Sequence, residues 1–138
     1  MELTDVLLHR KPFLFVDEIL EANEKKIVGT YTYKEDEYFF KGHFPNHPVV
    51  PGVLQIELMA QVGGAGLAYA KILEPGQLFV LGSVEKAKFR KEVKPNDKCI
   101  VEVENLRVSK IGIKQKGCVK VNGEIVSQAT WLCILVKE

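Results

Sequence analysis

The sequence predicts an α+β domain in which an antiparallel sheet wraps around one long central helix. Three observations predict it. From Pro51 to about Leu73 the chain is apolar nearly all round, which as a helix gives roughly 20 residues and about 30 Å, enclosed on most sides. From Gln77 onward, segments rich in β-branched and aromatic residues follow one another as strands. The turns between them carry short-connection chemistry, notably Asn122-Gly123, whose tolerance of positive φ suits a two-residue type I′ hairpin that pairs its flanking strands antiparallel.

Each element follows in order. The opening stretch MELTDVLLHRKPFLFVDEIL has no basic leader, and Asp5, His9, Arg10, Lys11, Asp17 and Glu18 interrupt its apolar residues, so it does not read as a secretory signal. IVGTYTY, residues 27–33, reads as a strand. The stretch KGHFPNHPVVPG is a loop stiffened by Pro45, Pro48 and Pro51, and Pro51 is placed as the first helical residue. The helix ends before EPG, residues 74–76. Its Gly63, Gly64 and Gly66 cost about 1 kcal/mol each relative to alanine, so a backbone or a ligand is expected close to that face. A membrane span over Val53 to Ala70 is rejected, because Gln55, Glu57 and Gln61 would be costly in lipid. The strands are then LFVLGSVEKAKFR, CIVEVENLRVS, IGIKQKGCVKV and EIVSQATWLCILV, with Lys94-Pro95-Asn96-Asp97 as a turn before the second.

A length of 138 residues with 46% apolar content suits one domain, 1–138, with one core. The formal net charge of +1 gives no bulk reason to bind nucleic acid or an anionic membrane. Cys99, Cys118 and Cys133 are odd in number and widely spaced, which indicates neither a disulfide framework nor a metal motif and fits a reducing cytoplasm.

Glu57 carries the sharpest chemical signal. A carboxylate in an apolar helix either finds hydrogen bonds or is held neutral, the state a general acid needs. Its helical neighbours Val53, Leu54, Ala60, Gln61 and Gly64 supply no cation, and Gln61 is placed to donate one hydrogen bond. Taken alone, Glu57 fits a structural carboxylate tied to backbone amides, Arg10 or Arg90 equally well. His43 is its natural partner, held by the proline-rich loop in a defined pose. His43 and His47 have H-x3-H spacing, but Pro45 and Pro48 prevent the helix a metal pair would need, so no metal is expected and His47 is read as structuring the loop. At the helix start the amides of Gly52 and Val53 lack internal partners and are free to polarise a carbonyl oxygen. A histidine, an acid and such donors around a carbonyl suit proton removal α to it, with the acid assisting loss of a β-substituent.

GHFPNHPVVPGVLQIELMAQ resembles the HFPxxPxxPGxxxxE signature of FabZ-type (3R)-3-hydroxyacyl-[acyl-carrier-protein] dehydratases. LLHRKPFLFVDEIL, VEKAKFRKEVKPND and GEIVSQATWLCIL resemble further segments of that family, over nearly the whole chain. The resemblance implies a hot-dog fold, a homodimer with a continuous sheet, commonly a trimer of dimers, and no cofactor. It implies His43 as the base that takes the α-proton, Glu57 as the acid that protonates the departing β-hydroxyl, and the Gly52 N–H on the thioester carbonyl, with His43 and Glu57 from different subunits. Glutamate at position 57, where the related isomerising FabA-type enzymes have aspartate, implies a simple dehydratase of fatty-acid synthesis.

The substrate would arrive on the phosphopantetheine of an acyl carrier protein. Lys86, Lys88, Arg90 and Lys91 are the expected attraction for that acidic partner, the first three alternating onto one strand face. An ordinary solvated strand face explains the same charges equally well. Phe89 points away from Lys88 and Arg90, which argues against nucleic-acid stacking. Two rivals remain at this level: a hot-dog thioesterase, in which an acidic residue activates water, and a non-catalytic acyl-carrier binding subunit.

Overall fold

The computed structural model describes residues 1–137. Its strands are β1 (Glu18–Ala22), β2 (Lys26–Thr32), β3 (Phe79–Phe89), β4 (Lys98–Val108), β5 (Gly112–Val121) and β6 (Glu124–Leu135), and its helices are α1 (Leu3–Val6) and α2 (Gly52–Tyr69). The strands form one sheet in the order β1-β2-β4-β5-β6-β3, every described pairing antiparallel. It curves around α2, which packs against β1, β2, β4, β5 and β6. The expected α+β architecture is therefore present. Among the described residues, no helix is long and apolar enough to cross a membrane.

The helix buries every residue from Leu54 to Ala68 except Glu57, which is half-buried. Its glycines let it sit low on the sheet. A Cβ on Gly63 would collide with the Gln115 side chain, on Gly64 with the Phe79 ring, and on Gly66 with the Ile27 side chain. The expected close neighbour, a backbone or a ligand, is thus a row of sheet side chains. Gln115 also accepts from Trp131 Nε1 at 3.2 Å and donates to Asn105 Oδ1 at 2.8 Å, which satisfies this buried amide.

Two boundaries differ from expectation. Pro51, with φ −56° and ψ 138°, stands before the helix as its N-cap and is not its first residue. At the other end α2 stops at Tyr69, four residues early. Lys71 takes a left-handed φ of 61°, its N–H reaches the Ala68 carbonyl at 3.0 Å, and the Ile72 N–H reaches that of Leu67 at 2.9 Å. These are the two bonds of a Schellman cap.

The turns are as expected. Asn122 and Gly123 have φ of 52° and 80°, which defines the I′ hairpin, and Asp97 N–H donates to the Lys94 carbonyl at 3.1 Å with Asn96 at φ 72°. β1 and α1 were not anticipated. β3 lies at the sheet edge, and every residue after Phe79 in it is exposed.

Candidate active site

The loop from Gly42 to Pro51 is tied to the chain just beyond β3. His47 Nε2 meets Glu92 Oε2 at 2.7 Å, and the Val50 N–H donates to the Val93 carbonyl at 2.8 Å. His47 thus structures the loop, as its sequence context suggested. Within the loop, the Val49 N–H closes onto the His43 carbonyl at 2.9 Å, and the His43 ring stacks on Phe44 with centroids 4.3 Å apart.

His43 Nδ1 lies 3.0 Å from the Val49 carbonyl oxygen. A carbonyl only accepts, so Nδ1 carries the proton, and Nε2 is left with a bare lone pair. That is the tautomer a general base requires.

Leu54 and Gln55 N–H groups both turn to the Pro51 carbonyl, at 3.0 and 3.3 Å. The Gly52 and Val53 amides ahead of them are the orphan donors of the helix start. The Phe89 ring lies against Gly52, where a Cβ would come within 2.8 Å of it, so a side chain here would push the ring aside. Val53 is 72% exposed beside this point.

Glu57 sits farther along α2. Its Oε2 accepts from Gln61 Nε2 at 2.8 Å, the bond expected from their spacing. Neither Arg10 nor Arg90 is its partner: Arg10 donates to the carbonyls of Thr4, Leu7 and His9, and Arg90 Nε donates to Gln128. Its second neighbour is His9, whose Nε2 lies 3.4 Å from the same Oε2. His9 was not singled out in the sequence. The segment carrying it is stapled to α2 by Gln61, which is fully buried: the Phe15 N–H donates to Oε1 at 2.8 Å, and Nε2 also donates to the Phe13 carbonyl at 3.0 Å.

Among the described contacts of one chain, no hydrogen bond or ion pair joins His43 to Glu57. The loop of His43 and Gly52 lie toward the Phe89 end of β3, and the His9 ring that neighbours Glu57 lies toward its Phe79 end, with the His9 and Phe79 ring centroids 5.6 Å apart.

The basic cluster is only partly as expected. β3 carries a bulge between Glu85, opposite Thr130, and Lys88, opposite Gln128, with Lys86 at φ 54°, so simple alternation fails there. Lys86, Lys88 and Arg90 nevertheless share the face turned from α2: Lys86 borders a groove with Gln128 and Thr130, Lys88 stands opposite Gln128, and Arg90 bonds it at 3.2 Å. Lys91 is paired with Glu124.

A buried helix wrapped by one antiparallel sheet, here with His43 in the loop before it and Glu57 on its flank, is the hot-dog fold. Solved structures agree on the fold: the dehydratase heterocomplex ApeI:P from Xenorhabdus doucetiae has a TM-score of 0.84 at 14% identity, covering 100% of this chain and 93% of that one. A hypothetical thioesterase with coenzyme A from Streptococcus pneumoniae has a TM-score of 0.62 at 15% identity, covering 88% and 86%.

The model of the FabA-like domain matches residues 7–130. The 3-hydroxyacyl-[acyl-carrier-protein] dehydratase FabZ of Proteus mirabilis is 39% identical over 140 residues, 99% of this chain and 93% of that protein. The protein of the same name in Petrotoga mobilis is 42% identical over 128 residues, 93% and 91%. The chain belongs to the FabZ family of FabA-like domains.

Proposed function

We propose that this protein is a 3-hydroxyacyl-[acyl-carrier-protein] dehydratase, a hydro-lyase that converts a (3R)-3-hydroxyacyl thioester to its trans-2-enoyl thioester in fatty-acid synthesis. The observation that carries the assignment of roles is the tautomer of His43, set within the loop that leads into the free amide of Gly52 at the helix start. The Gly52 N–H, aided by that of Val53, holds the thioester oxygen and stabilises the enolate. His43 Nε2 takes the α-proton, the C–C double bond forms, and the β-hydroxyl leaves as water with the proton of Glu57. Proton return from the imidazolium to the carboxylate, through water, resets the pair.

The reading needs two subunits. β3 exposes Val80, Leu81, Val84 and Phe89 on a sheet edge, a strand that a soluble protein leaves unpaired only at the risk of aggregation. Antiparallel pairing of two such edges about a two-fold axis sets the Phe89 end of one against the Phe79 end of the other. This brings His43 of one subunit toward Glu57 of the other, and three such dimers would complete a trimer of dimers. Each chain is one catalytic domain of a cytoplasmic enzyme, without a metal or cofactor in the chemistry.

Lys86, Lys88 and Arg90 would attract the acidic carrier protein and the phosphate of its phosphopantetheine, and Lys91 joins them less strongly because Glu124 already opposes it. The test is mass spectrometry of 3-hydroxybutyryl and crotonyl carrier protein incubated with the pure protein, alongside a thiol assay. Interconversion of the two without thiol release is expected. Thiol release, or two unchanged substrates, would reject the dehydratase.

A further inference from the structure

We propose that His9 is a positioning residue for the general acid: its neutral ring donates through Nε2 to Oε2 of Glu57 and so places the acid's proton on Oε1. The inference rests on the role proposed for Glu57. Its geometry does not.

His9 Nδ1 is buried and has no hydrogen-bond partner, whereas Nε2 faces the carboxylate at 3.4 Å. A proton on Nδ1 would bury an N–H with no acceptor, so the ring's single N–H belongs on Nε2. The distance is long for a hydrogen bond in the free enzyme, as contacts around a catalytic group commonly are before substrate binds. Gln61 Nε2 already donates to the same oxygen at 2.8 Å. With two N–H donors converging on Oε2, a carboxyl proton there would meet two other hydrogens. The proton is driven to Oε1, which has no partner among the described residues and is left to serve the leaving hydroxyl.

The neighbours keep this arrangement free of net positive charge. Arg10 is spent on the carbonyls of Thr4, Leu7 and His9, and holds the turn that presents the ring. From β6, the Cys133 thiol faces Glu57, pushed up to about 12 by burial and by that carboxylate. Beyond the end of β2, the Tyr33 hydroxyl is also pushed up, mainly by burial. Both are neutral. A neutral donor orients the carboxyl without the strong bias toward ionisation that a lysine or arginine would impose, and an acid must remain protonated to act.

The experiment begins on the parent protein labelled with 15N-histidine. Three histidines make the long-range 1H–15N spectrum assignable, and His9 is expected as the Nε2–H tautomer, opposite to His43 as Nδ1–H. His9→Leu should then lower kcat about 10-fold or more with KM little changed, the scale of a misplaced catalytic group, while His9→Gln, which restores a side-chain N–H, recovers most of it. An Nδ1–H tautomer at His9, a folded His9→Leu protein with parental kcat, or a glutamine variant no faster than leucine would each overturn the role. The tautomer is read without any variant having to fold. A parent protein lacking turnover overturns the dehydratase and this role together, whereas an active parent with an equally active leucine variant overturns this role alone.

Discussion

Cys99 and Cys133 are buried in the core, and burial pushes both thiols from an ordinary 9.0 up to about 12, with the Glu57 carboxylate adding to the effect on Cys133. In the unfolded chain they ionise near 9.0, while the folded protein retains both protons. Stability is therefore unaffected by them below about pH 9 and falls as pH rises through the window to about 12, because the unfolded state has released protons the native state still holds. Tyr33, also pushed up by burial, adds to the same slope. Denaturation midpoints at fixed protein concentration should decline over this range, and Cys99→Val should make the decline shallower. A flat profile would contradict the burial of these thiols. At this scale the sequence exposed Glu57 and Gln61, because i and i+4 on a helix meet by construction. It gave no access to His9, whose meeting with Glu57 spans 48 residues and depends on where Gln61 anchors the N-terminal segment. Arg10, a sequence candidate for Glu57, instead satisfies three carbonyls of its own turn.

Among the elements, α2 ends at Tyr69, short of the expected Leu73, for a definite reason. Schellman caps are expected at glycine, and the next glycine after the helix is Gly76, beyond Pro75; the cap is formed at Lys71, at a left-handed φ of 61°. A left-handed conformation costs a non-glycine residue roughly 1–2 kcal/mol, and glycine's extra unfolded-state entropy offsets about 0.5–1 of that. Lys71→Gly should therefore stabilise the protein by about 0.5–1 kcal/mol, read as an upward shift of the thermal midpoint with turnover unchanged; a downward shift would contradict the cap. β4, β5 and β6 were legible because their side chains follow the strand period and their turns announce themselves. β1 was not, since EILEA is a short edge strand with exposed glutamates, and the bulge at Lys86 leaves no mark in a pattern that alternates correctly on paper.

For the whole molecule, the proposed pairing of His43 from one subunit with Glu57 from the other would make activity a property of the dimer. His43→Ala and Glu57→Gln should each lower turnover at least ~100-fold, the usual scale for a general base or acid. Co-expressed and mixed at random, they should regain about a quarter of parental activity, since half the dimers are mixed and each mixed dimer carries one intact site. No recovery in demonstrably mixed dimers would mean that both groups come from one chain. Nothing in one chain's spacing records which copy supplies which group, so the expectation of a shared site rests on the family resemblance of the HFPNHPVVPG segment and not on the residues' positions.

Gln61 has a consequence that reaches beyond catalysis. The Phe15 amide proton is held by a side chain of α2 and not by a strand partner, and the same side chain holds Glu57. Its exchange with solvent deuterium therefore requires that contact to open. One backbone amide becomes a reporter of how often the Glu57 carboxylate loses its support, on a timescale that neither turnover nor global unfolding would reveal.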